Sequence, residues 1–66
     1  MKYRVVAAFG GECLTEPKTL EDTVLAAVRL SSSQIVHVWS TSGGHFGMGK
    51  VVAHFANGIC TWRELR

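Results

Sequence analysis

At 66 residues the chain has room for one domain, spanning 1–66, and a domain this small buries only about 60% of the surface its unfolded chain exposes. A hydrophobic content of 47% against 18% charged excludes a disordered chain and exceeds what one small core hides, which predicts a homodimer or a docked partner. The net charge of +2 falls short of the strongly basic composition usual in nucleic-acid-binding domains, and no segment has the length needed to span a membrane.

Lys2 to Phe9 reads as a strand, with Tyr3, Val5, Ala7 and Phe9 on one side and Lys2, Arg4, Val6 and Ala8 on the other. Its apolar part is too short for a signal-peptide core, and the expected location is the cytoplasm. Gly10-Gly11 ends it, and Glu12 to Lys18, with the sole proline Pro17, leads into a helix near Thr19. Thr19 is the expected N-cap, and Glu21 and Asp22 favour the positive helix end. Leu20, Val24, Ala27 and Val28, widened by Leu25, form a stripe that should pack on a sheet; Ser31-Ser32-Ser33 stops the helix. Gln34 to Thr41 reads as a strand with apolar residues on both faces, which suggests a central position or a second buried surface.

Asn57-Gly58, between Lys50–Ala56 and Ile59–Leu65, is a strong hairpin signal. A regular two-residue loop would place Ala56 opposite Ile59, Phe55 opposite Cys60, His54 opposite Thr61, Ala53 opposite Trp62 and Val52 opposite Arg63. Val51, Ala53, Phe55, Cys60 and Trp62 then form the core side. The whole is an α+β fold of order β-α-β-β-β, one helix packed on a small, mainly antiparallel four-stranded sheet. The first strand lies beside either the second or the last. The sheet face away from the helix has no element to cover it and should be wet, dimerised or bound.

No catalytic motif is present. Cys13 and Cys60 read as reduced thiols, with one disulfide as the alternative, and neither has the base or positive helix end that activates a thiol. His37, His45 and His54 match no zinc spacing, and in the hairpin register His54 and Cys60 point to opposite faces, so neither metal nor cofactor is expected. Glycines 43, 44, 47 and 49 precede a strand rather than a helix, unlike a phosphate-binding loop. In that segment His45, Phe46 and Met48 are candidate partner-binding residues, with Lys50, His54, Arg63 and Arg66 as electrostatic guides.

The stretch Val51-Val52-Ala53-His54-Phe55-Ala56-Asn57-Gly58 followed by Trp62, with a short helix ahead of the strands, resembles small phage-encoded inhibitors of the anti-CRISPR type. The resemblance covers about residues 19 to 65 at the level of architecture and carries over no functional residue. It implies a non-enzymatic protein, acting in the host cytoplasm, that inhibits or modulates a larger protein or nucleoprotein complex by steric occlusion. The chain is less acidic than inhibitors that mimic DNA, so mimicry is not the expected mechanism. The alternative is a small nucleic-acid-binding module, because Lys2, Arg4, Lys50, Arg63 and Arg66 fall on strands or their ends near Tyr3, Trp39, His54 and Trp62.

Overall fold

A computed structural model describes residues 2–42 and 49–64. Strands β1 (Tyr3–Ala7), β2 (Val36–Ser40), β3 (Val51–Ala56) and β4 (Ile59–Arg63) and the helix α1 (Leu20–Leu30) follow in the expected order β1-α1-β2-β3-β4. The sheet is antiparallel throughout, in spatial order β1-β2-β3-β4, so the first strand lies beside the second. Among the described residues no helix is long and apolar enough to cross a membrane.

The helix starts at Thr19, whose hydroxyl accepts from the Asp22 N–H at 3.3 Å and so satisfies one of the first-turn donors. Its buried positions are Thr23 and Ala27, with Val24, Ala26 and Leu30 packed alongside. The expected stripe is therefore rotated: Leu20, Val28 and especially Leu25, 65% exposed, border solvent. Thr23 tolerates burial because its hydroxyl lies 2.7 Å from the Thr19 carbonyl oxygen and 3.2 Å from that of Tyr3. The core beneath consists of Val5, Ala27, Val36, Val38, Ala53 and Phe55. Phe9, expected to continue the first strand, lies beyond it in a turn, 80% exposed, ahead of Gly10 and Gly11 with positive φ.

The outer edge of β1 is covered by the connection to the helix. Tyr3 and Lys18 exchange backbone bonds at 2.8 Å, Leu14 N–H donates to the Val5 carbonyl, Ala7 N–H to that of Glu12, and Val5 N–H to the Thr15 hydroxyl. That leaves β4 as the other margin of the sheet, and all five of its residues are exposed.

The β3–β4 hairpin turns at Asn57 (φ 53°) and Gly58 (φ 77°), the left-handed pair a type I′ turn requires. Ser31 at the helix end fastens this turn. Its carbonyl accepts from Asn57 N–H and its hydroxyl from Gly58 N–H, both at 2.9 Å, while the hydroxyl donates to the Val28 carbonyl. At the other end of β3, Gly49 has φ +97°, and a Cβ there would sit 2.1 Å from the Ser40 carbonyl oxygen. Only glycine fits this approach.

Candidate binding face

Two irregularities in β3 and β4 decide which side chains reach the face away from the helix. Trp39 pairs with Val51 and Val38 with Ala53, so Val52 is an extra residue and packs against the core. In the hairpin, Ala56 opposes Ile59 and Phe55 opposes Cys60, as expected, but His54 opposes Trp62 and Ala53 opposes Arg63. Thr61 is the extra residue here, and its hydroxyl donates to the His54 carbonyl at 3.3 Å, bracing the bulge.

The expected core position of Trp62 is thereby corrected. One bulged residue moves the indole from the Ala53–Phe55 side to the His54 side, where it is 47% exposed. Arg63 moves the other way and borders the groove beside Leu20 and Val24 on the helix side. A long cationic side chain suits that place, because its stem can cover apolar surface while the guanidinium stays in water.

The result is a row across all four strands: Val6 opposite His37, His37 opposite His54, His54 opposite Trp62. The two imidazoles stack with centroids 4.1 Å apart and planes at 23°, and the Trp62 ring lies 5.0 Å from His54, tilted by 45°. A second row places Arg4, Trp39 and Val51 side by side. Arg4, Trp39, Cys13 and Gly11 line a shallow hollow of about 270 Å³ next to the first row. Partial burial, and secondarily the adjacent His54, lowers the pKa of His37 from the usual histidine value.

The expected contact residues fare differently. His54 lies at the centre of the aromatic row; Lys50 is bonded to Glu64 at 2.9 Å, and Arg63 faces the helix side. His45, Phe46, Met48 and Arg66 lie outside the described residues. Sequence reasoning did not single out His37 as a contact residue, although its spacing from Trp39 already placed both on one face of a strand. It also kept Trp62 for the core, and no glycine or proline announces the bulge that releases it.

Cys13 and Cys60 are both free and exposed. The Cys13 thiol donates to the Thr15 carbonyl at 3.2 Å, and the Arg4 guanidinium approaches its sulfur at 4.0 Å. Cys60, opposite Phe55, borders the helix-side groove, so His54 and Cys60 lie on opposite faces of the sheet. Among the described residues no three His, Cys, Asp or Glu side chains converge as a metal site would require. The arrangement defines a small α+β protein with one helix-covered sheet face and one open face bearing an aromatic, histidine-rich row. No family model, curated protein or solved structure matches the chain.

Proposed function

We propose that this protein is a non-enzymatic binding protein that docks its open sheet face on a larger protein and acts by occluding the surface it covers. The observation that carries this reading is the His37–His54–Trp62 row, an aromatic strip on a face that no helix of the described residues covers. Tryptophan supplies large contact area at small entropic cost and is enriched at the centres of interfaces. The resemblance to phage-encoded inhibitors of the anti-CRISPR type makes RNA-guided nuclease complexes in a bacterial cytoplasm the first partners to try.

The test is capture of purified nuclease complexes by the tagged protein, wild type against Trp62→Ala and Arg63→Ala, after nuclease treatment. Capture should be lost with Trp62→Ala and kept with Arg63→Ala, because the two side chains lie on opposite faces. Equal capture by all three proteins would remove the open face from the reading.

A second reading, single-stranded nucleic acid stacked on the same row, is favoured by the position of Arg4 beside Trp39. Against it, Lys50 is paired with Glu64 and Arg63 is on the far side, which among the described residues leaves Arg4, with Lys2 two residues before it on the same side of the first strand, as a short track for successive phosphates. A steep loss of affinity for oligothymidylate with added salt, abolished by Arg4→Ala, would put it first.

A further inference from the structure

The rows of the open face contain no carboxylate: they run Val6, His37, His54, Trp62 and Arg4, Trp39, Val51. The acids among the described residues lie outside these rows. Glu21 and Asp22 are in the first turn of the helix on the other side, Glu16 and Glu12 in the segment along the β1 edge, Glu12 between the hollow-lining Gly11 and Cys13, and Glu64 borders the helix-side groove, bonded to Lys50. The groups around the histidine pair come from each neighbouring strand: Val6 from β1, with Arg4 one row away and Cys13 bridged to Val6, and Trp62 from β4. The helix packs on the opposite face. Arg4 is thus the charged side chain nearest the pair within these rows, and it is a cation.

Two neutral imidazoles can stack at 4.1 Å, but two imidazolium rings at that distance repel each other. A carboxylate seated over them offsets the repulsion and accepts from their ring N–H groups, as it would from Arg4 at the neighbouring hollow. Resting on the protein-docking reading above, we propose that the occupant of the open face is an acidic protein segment, and that docking it takes up protons at the His37–His54 pair. The carboxylates sit over the histidines and Arg4; the apolar side chains of the segment pack on Trp39 and Trp62.

The sign follows from linkage. An anionic occupant raises the pKa of His37 above its value in the free protein, so affinity increases as pH falls through the bound-state value and levels off below the free-state value. The free His37 is already held below the usual histidine value, which leaves room for proton uptake near neutral pH. A nucleic acid is anionic too, but it needs several cations spaced along the backbone, and among the described residues this face supplies Arg4 and, just ahead of the first strand, Lys2.

The experiment is an amide NMR titration of the full chain with a synthetic peptide of glutamates interspersed with leucines, at about pH 7.5 and about pH 6, where glutamate remains ionised. Shifts are expected at Arg4, His37, Trp39, His54 and Trp62, with Kd about fourfold lower at the lower pH, part of the tenfold that one unit of pKa change gives once pH is well below the free-state value. His37→Gln with His54→Gln should remove the pH dependence, and Arg4→Ala should weaken binding at both pH values. Affinity that is unchanged or weaker at the lower pH overturns the proposal, as does equal binding of the same peptide with glutamine for glutamate. The glutamine result would leave protein docking standing while removing the acidic partner. Shifts caused by oligothymidylate, with the acidic peptide silent, would overturn both readings in favour of nucleic acid.

Discussion

Trp62 carries the largest consequence of any single side chain. Were it in the core opposite Ala53, its removal would cost about 3–5 kcal/mol, enough to unfold a domain of this size. It is instead 47% exposed and rests on His54, so Trp62→Ala should lower stability by less than about 1.5 kcal/mol while abolishing partner capture. Urea unfolding decides the first half; a loss near the core value would return the indole to a structural role. His37 offers a second test. Its pKa is below the unfolded value in the folded chain, so the unfolded state binds more protons between the two values. Stability is complete above the unfolded histidine value and declines as pH falls through it towards the folded one. Thermal unfolding of the unbound protein should therefore shift to lower temperature on acidification from pH 7.5, and His37→Gln should reduce that shift. An identical pH profile in the variant would remove His37 as its source.

Between elements, Ser31 ties the end of the helix to the β3–β4 turn. Ser31→Ala deletes the acceptor for Gly58 N–H in a place 1% exposed, and it should cost about 1–3 kcal/mol, with amide exchange accelerated first at Gly58 and Ile59. A variant with unchanged exchange there would show that the turn stands without the helix. Gly49→Ala is the harsher change, because the new methyl would collide with the fixed Ser40 carbonyl at a φ of +97°. The elements themselves were legible in the sequence because their signals are local: Thr19 as cap, the helical run after it, and Asn57-Gly58 as turn, confirmed by φ values of 53° and 77°. Ser31 read only as a helix stop, since its partners lie 26 and 27 residues away. The register past Cys60 was illegible for a related reason: a bulge at Thr61 is held by a bond to the His54 carbonyl, and nothing within β4 alone requires it.

For the whole molecule, the decisive circumstance is one helix serving one side of a four-stranded sheet. The sequence order made the open face legible, but not its furnishing, which depends on two bulges that alternation does not reveal. The covered side is thin: among the described residues its buried apolar side chains are mostly valine and alanine, and Phe55, 3% exposed, is the one aromatic. A chain of 66 residues has roughly 3–10 kcal/mol of stability in all, at about 0.05–0.15 kcal/mol per residue. Phe55→Ala, costing about 3–5 kcal/mol, should leave a large unfolded fraction, whereas Trp62→Ala, seven residues on and similar in size lost, should leave the chain folded. The two rings sit on strands that pair with each other, and they differ in which side of the sheet they occupy. Amide dispersion in NMR spectra of both variants measures that difference directly: collapse with Phe55→Ala and retention with Trp62→Ala is the expected pair. If the tryptophan variant collapses as well, the sheet needs both faces for stability, and the open face is part of the fold before it is a place to bind.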